Sequence, residues 1–205
     1  PSDALLVMKG AGKFSAPIPI AENFLGRMLC SEFGLLAPKG ITTFSDGSFS
    51  ISPDGELSGS SSETAFGRWS DSVVLIARQG DESYLCSCSR EAFEINEKNN
   101  VAGEPRDEIS IKTKLLDDQF ILAEGVSRRA RLLGAASRVA QMSGALESIL
   151  EMSVSYSIER TQFGKSISKF QAIQQQLATM AGEVAASIRA AQSIHLSKEL
   201  MIELD

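Results

Sequence analysis

The stretch Tyr156-Ser157-Ile158-Glu159-Arg160-Thr161-Gln162-Phe163-Gly164-Lys165 is followed by Phe170-Gln171-Ala172-Ile173-Gln174 and then by Leu177-Ala178-Thr179-Met180. It reads as a helix, a reversal and a second helix. Gly164 can end one helix and let the chain turn back, because a residue without Cβ enters left-handed conformations freely. Arg160 stands in the last turn before that reversal, where a guanidinium presents a planar, permanently charged fork suited to a pyrophosphate. Thr161 and Gln162 add hydrogen-bonding groups beside it. Phe163 is expected to pack under the turn and hold the arginine's direction. Gln171, about two turns into the next helix, offers an amide near the same spot. An isolated arginine at a helix end more often pairs with a carboxylate or caps its helix, but the adjacent Glu159 does not face Arg160 on a helix.

Around this stretch the pattern is helical from about Asp118 onward. Leu132, Ala136, Val139, Leu146, Leu150 and Val154 mark one stripe, and Phe170, Ile173, Leu177, Met180, Val184 and Ile188 a second. Two long helices with a short break predict an antiparallel pair. Such a pair leaves apolar surface open and needs further helices, from the same protein or a partner.

Upstream, from about Gly40 to Lys114, the period changes. Ile41 to Phe44, the alternating Phe49-Ser50-Ile51-Ser52, the apolar run Ser72 to Ala77, Tyr84 to Cys88, Glu94-Ile95 and Ile109 to Ile111 read as short strands. Pro53-Asp54-Gly55 and Gln79-Gly80-Asp81-Glu82 read as turns between them. Ser58 to Ser62, rich in serine and glycine, reads as a loop. Strands at this spacing suggest a small antiparallel barrel or sandwich. At the start, Ala4 to Met8 is a short helix that Gly10 and Gly12 are expected to break. Pro17 and Pro19 forbid a helix interior, and a second helix from Ile20 stops at Gly34. The regions are therefore 1–38 (helical), 39–117 (β) and 118–205 (helical), and the last residues to Asp205 read as helix without a cap.

Composition narrows the chemistry. With 20 basic and 26 acidic residues the chain carries a net charge of -6, which argues against nucleic acid as a partner. No apolar run spans a bilayer and no secretory signal is seen, so a cytoplasmic location is the default expectation. The cysteines, Cys30, Cys86 and Cys88, are odd in number and are read as structural free thiols, the last two on opposite faces of their strand. His195 is the one histidine, so a hydrolytic triad or multi-histidine metal site would depend on it alone; it is read as a surface or packing residue, and no metal site is expected.

The decisive stretch resembles the helix-turn-helix signature of the acyl-CoA dehydrogenase family: tyrosine, arginine, two residues, phenylalanine-glycine, a later phenylalanine-glutamine, then leucine-alanine-x-methionine. All elements stand at the family's spacing from Tyr156 to Met180. Pro17-Ile18-Pro19-Ile20-Ala21-Glu22 and Gly55-Glu56-Leu57-Ser58-Gly59 also look like family phrases. The resemblance implies an α+β multidomain fold: a helical N-terminal part, a small antiparallel β barrel or sandwich, and a C-terminal four-helix-bundle domain, here incomplete. It implies FAD as cofactor, with Arg160, Thr161, Gln162, Phe163, Phe170 and Gln171 as cofactor-binding residues on the pyrophosphate and adenosine side of a FAD held mainly by a neighbouring subunit. It thus implies a homo- or hetero-oligomer, a dimer or tetramer. The activity it implies is α,β-dehydrogenation of an acyl-CoA thioester to a 2,3-enoyl-CoA, with electrons passed to an electron-transfer flavoprotein.

Departures from the family qualify this. The Thr-Glu-Pro-x-Ala-Gly-Ser-Asp phrase of typical members is missing; Thr42-Thr43-Phe44-Ser45-Asp46-Gly47 is nearest by position. In most members the catalytic glutamate lies beyond the point matching Asp205. In a minority it lies twenty-six residues before the motif arginine, which here is Gly134, followed by Ala135 in place of the usual arginine. Arg128, Arg129, Arg131 and Arg138 could bind an acyl-CoA phosphate, but a solvated basic helix face is the preferred reading. No catalytic base is assigned. The alternative reading is a non-catalytic partner subunit that completes the FAD site of a heteromeric acyl-CoA dehydrogenase.

Overall fold

The structure, a computed structural model, describes residues 2–194. His195 and the residues up to Asp205 lie outside the described part. The order is α1 (Ser2–Lys13), α2 (Ile20–Phe33), β1 (Thr42–Ser45), β2 (Ser48–Ile51), β3 (Glu56–Ala65), β4 (Ser72–Gln79) and β5 (Glu82–Ser89). It continues with β6 (Phe93–Asn96), β7 (Arg106–Lys114), β8 (Phe120–Leu122), α3 (Val126–Glu159), β9 (Thr161–Gln162), β10 (Lys165–Ser166) and α4 (Gln171–Ser193). Two compact units result among the described residues, one of residues 17–134 and one of residues 2–16 with 135–194.

Residues 17–134 are organised by one eight-stranded sheet in the order β6-β7-β3-β2-β4-β5-β8, with β1 also paired to β4. The sheet is not wholly antiparallel: β1 and β2 both run parallel to β4. The apolar run of β4 has a simple cause. Alternate side chains leave opposite faces of a strand. Val73, Leu75 and Ala77 enter a core with Phe49, Leu57, Ile109 and Ile111, while Val74 and Ile76 enter a second core with Leu25, Leu29 and Cys30 of α2 and Val126, Ala130 and Leu133 of α3. Removing Leu75 to Ala would cost about 2–5 kcal/mol.

The stretch Ser58 to Ser62, expected as a loop, is the middle of β3, hydrogen-bonded between β2 and β7. Its serines alternate towards water, so the strand needs no apolar run, and its composition conceals it. Gly59 is the exception with a physical reason: at φ 144, any Cβ would collide with Ser48 and Phe49 of β2. Cys86 and Cys88 both lie in the first core, not on opposite faces, because residues two apart on a strand share a side. Burial pushes the Cys88 thiol up to about 12, as expected of an inert structural thiol.

Two ion pairs fasten this unit. Asp107 of β7 is fully buried and accepts from the Arg68 backbone N–H at 2.8 Å, the Arg68 Nε at 2.9 Å and the Lys98 N–H at 3.2 Å. Glu32 at the end of α2 takes a two-pronged hydrogen bond from Arg129 of α3, both contacts at 2.6 Å.

The other unit contains α1, most of α3, the β9–β10 hairpin and α4. Gly10 and Gly12 do not break α1, which continues to Lys13. A Cβ at Gly12 would strike the Gln141 backbone, and one at Gly144 would strike the Lys9 backbone. The glycines are thus the contact surface between α1 and α3. Lys9 and Lys13 flank the crossing with ion pairs to Glu147 and Glu151 at 2.8 and 2.7 Å. Ile188 and Ala191 near the end of α4 line the same small cavity as Ala140 and Ser143, so α4 runs back along α3.

The buried positions of α3 in this unit are mostly small: Ala136, Ser137, Ala140, Ser143 and Gly144. The expected stripe is only partly buried, and Val154 at its end is exposed. Met142, Ile149, Met152 and Tyr156 form another row of apolar side chains, at steps of seven, three and four, and all are exposed. On α4, Val184 alone of its expected stripe is buried. The helices therefore leave apolar surface open, as a pair cut from a larger bundle would.

Candidate functional site

The α3–α4 connection is more elaborate than the expected helix bend. Helix α3 ends at Glu159, and β9 and β10 form a hairpin in which Lys165 faces Gln162 and Ser166 faces Thr161. Its two-residue tip is Phe163 (φ 51) and Gly164 (φ 78). Two successive positive φ values are those of a type I′ turn, the tip that suits strand twist. Gly164 therefore turns the hairpin and does not end the helix. Gln171 is the first residue of α4, not two turns into it.

Phe163 is 92% exposed, against the expectation that it packs under the turn. Its ring meets Phe170 edge-on, with centroids 6.2 Å apart. On the same ring of Phe170 the Lys165 ammonium sits 4.5 Å from the centroid, a cation–π contact. The hairpin thus has an aromatic platform whose outer ring faces water.

Arg160 lies at the base of this hairpin. Its N–H donates to the Tyr156 carbonyl at 2.9 Å, and its carbonyl accepts from Ile167 N–H at 2.9 Å. The backbone is fixed on both sides. The side chain is exposed, and its guanidinium pairs with no group among the described residues. Thr161, Gln162 and Gln171 are exposed as well. Arg160, Thr161 and Gln162 are brought together with the Phe163–Phe170 pair. Gln171 follows that pair directly, and its amide bonds to none of these residues.

Sequence reasoning missed Ser166 and Ser168. The Ser166 hydroxyl lies 2.8 Å from both the Ser157 and Ile158 carbonyls and 2.8 Å from the Ser168 hydroxyl. A serine two residues past the turn glycine and just before a helical turn carries the sequence signal of a cap, and Ser166 does cap the 3-10 turn Ile167–Lys169.

In the β unit, an open cleft of about 560 Å³ is lined by Asp46, Ser48, Ser50, Ser58, Arg78 and Ser127, among others. Its size suits a small-molecule site. The Arg78 guanidinium is exposed and has no partner among the described residues. The neighbouring hydroxyls of β1 are not available: Thr42 bonds Ser72 at 3.0 Å, Thr43 donates to the Ala65 carbonyl at 2.6 Å, and Ser45 bonds Thr64 at 2.8 Å. Arg129 of the basic run is engaged by Glu32. At Gly134 a Cβ would touch only Leu25, at 3.8 Å.

These features define an acyl-CoA dehydrogenase-like fold. Residues 128–196 match the family model for the acyl-CoA dehydrogenase C-terminal domain. The chain is similar in structure to the ChsE4–ChsE5 complex from Mycobacterium tuberculosis, at 20% identity and TM-score 0.82, over 95% of this chain and 61% of that one. It is also similar to butyryl-CoA dehydrogenase from Megasphaera elsdenii, at 20% identity and TM-score 0.78, over 92% and 62%. A third is PigA with FAD and proline, at 18% identity and TM-score 0.76, over 92% and 62%. No curated protein matches in sequence. The structural likenesses are likenesses of fold, and the chain spans 61–62% of the length of these structures. The family match thus covers the C-terminal helices at residues 128–196, and the chain as a whole shares the fold of acyl-CoA dehydrogenases. No helix among the described residues is long and apolar enough to cross a membrane.

Proposed function

We propose that this chain is part of a FAD-dependent acyl-CoA dehydrogenase assembly and that its β9–β10 hairpin completes a FAD site seated mainly on a neighbouring subunit. The observation that carries this is the exposed, unpaired guanidinium of Arg160 on a backbone fixed at both sides. A charged fork held in this way suits a diphosphate, since it can donate two parallel hydrogen bonds with little ordering cost. Thr161, Gln162 and Gln171 would add hydrogen bonds, and the Phe163–Phe170 pair an apolar wall for the adenosine side. Bound FAD would supply the electron acceptor for α,β-dehydrogenation of an acyl-CoA thioester. The cleft at Arg78, Ser48 and Ser127 is the proposed seat for the polar part of that thioester. In the intact protein, residues 1–38, 39–117 and 118–205 would belong to the family's three successive domains. Electrons would pass to an electron-transfer flavoprotein.

Within this assembly two roles are distinguishable. The first is a catalytic chain with its base outside these residues. The second, a non-catalytic partner subunit, is favoured by Gly134, which offers no carboxylate, and by the hydroxyls of Thr42, Thr43 and Ser45, which are satisfied within the chain. Expression of the chain alone and with its genomic neighbour separates them. A chain that is colourless alone and yields enoyl-CoA formation only in the pair is a partner subunit. A chain that is yellow and active alone is the enzyme. Absence of flavin from both preparations would overturn the proposal.

A further inference from the structure

We infer that Ser166 is the positioning residue for Arg160: its hydroxyl ties the hairpin to the end of α3 and so sets where the guanidinium is presented. This rests on the proposal that Arg160 binds the FAD diphosphate. A helix leaves its last carbonyls without intrahelical donors. At the end of α3 the Ser166 O–H supplies one, shared between the Ser157 and Ile158 carbonyls at 2.8 Å each. Because its proton is used there, the 2.8 Å contact with Ser168 is a bond donated by the Ser168 hydroxyl. Ser168 is held in turn, since its carbonyl accepts from Gln174 Nε2 of α4 at 2.9 Å. A chain of hydrogen bonds thus runs from the end of α3 through Ser166 and Ser168 to the first turns of α4.

Arg160 sits inside this loop of bonds. Its carbonyl receives the Ile167 N–H, the residue directly after Ser166. The strand partner of Ser166 is Thr161, the residue directly after Arg160. If the hydroxyl is removed, two helix-end carbonyls lose their donor and the base of the hairpin loses its side-chain link to α3. The tip geometry, set by Phe163 and Gly164, is untouched. The expected loss is one of direction, not of fold.

The test is FAD titration into the flavin-stripped native assembly carrying Ser166→Val, Ser166→Thr, Arg160→Ala, or Arg160→Ala with Ser166→Val. Valine and threonine are both shaped for a strand and differ in the hydroxyl. Melting curves confirm folding, and Ser166→Ala replaces the valine variant should valine not fold. We expect valine to weaken FAD binding about five- to tenfold, as for loss of one hydrogen bond, and threonine to stay within about twofold. In the Arg160→Ala background, valine should add nothing, because Ser166 acts through Arg160. Tight binding by the valine variant, or an equal loss in both backgrounds, overturns the inference while leaving the proposed function standing. An Arg160→Ala protein that binds FAD as wild type overturns the proposed function itself.

Discussion

Gly12 of α1 and Gly144 of α3 each stand where the other helix's backbone leaves no space for a side chain: a Cβ at either would lie well under 3.0 Å from a backbone oxygen. Gly144→Ala should therefore lower stability by about 1–3 kcal/mol, the usual cost of forcing an extra carbon into a closed contact. Gly10→Ala is the control. A Cβ there meets nothing within 4 Å, so this change should be neutral or stabilise by up to about 1 kcal/mol. Thermal melts of the two variants decide the point; equal effects would mean that the crossing is looser than described.

The Arg68–Asp107 pair gives a pH dependence of known sign. Burial pushes the Asp107 carboxyl up, but hydrogen bonds from the Arg68 side chain and from the backbone N–H groups of Arg68 and Lys98 outweigh it, so the net shift is downward. A carboxyl lowered by folding stabilises the protein above its unfolded value of about 4, and that contribution disappears as pH falls through the folded value. Stability should fall below about pH 4, and Asp107→Asn should flatten that part of the acid limb. Arg68→Ala leaves the carboxylate buried without its partner and should cost about 3–5 kcal/mol at neutral pH. A pH-independent melting temperature between pH 5 and 2 would contradict this, whereas an unaltered neutral melt for Arg68→Ala would show the pair to be structurally idle.

The hairpin tip separates two roles of one residue. Phe163 has φ 51, a conformation asparagine adopts more readily, and Asn-Gly is the preferred pair for a type I′ turn. Phe163→Asn should leave the melting temperature of the chain equal or higher while removing the exposed ring. If that ring lies against a neighbouring subunit, assembly measured by sedimentation should weaken. Gly164→Ala does the reverse: it keeps the ring and strains the turn by about 1–2 kcal/mol.

What could be read beforehand divides along physical lines. The Tyr156–Met180 stretch carried the family resemblance because its residues sit at fixed spacing, and it falls within the residues 128–196 that match the family's C-terminal domain; the run Ser72–Ala77 announced a strand buried on both faces. β3 escaped because serines alternating towards water have no apolar signature. Gly10 and Gly12 were misleading because a glycine that weakens an isolated helix also permits the closest helix contact, and only the partner helix tells the two apart. In the candidate site, the placement of Arg160 at the end of α3 was legible from the sequence. The outward aim of Phe163 and the bond from Ser166 to the end of α3 were not, since both depend on a two-residue turn that reverses the chain after the helix has ended.

The central claim is that the Arg160 guanidinium holds the diphosphate of a FAD. Its most direct test is the FAD dissociation constant of the native assembly with Arg160→Ala, compared with wild type and with Arg160→Lys. Losing a charge-assisted, two-pronged contact costs about 1.5–3 kcal/mol, so binding should weaken about 10- to 150-fold in the alanine variant, and lysine should recover only part of it. An alanine variant that binds FAD as tightly as wild type would contradict the account.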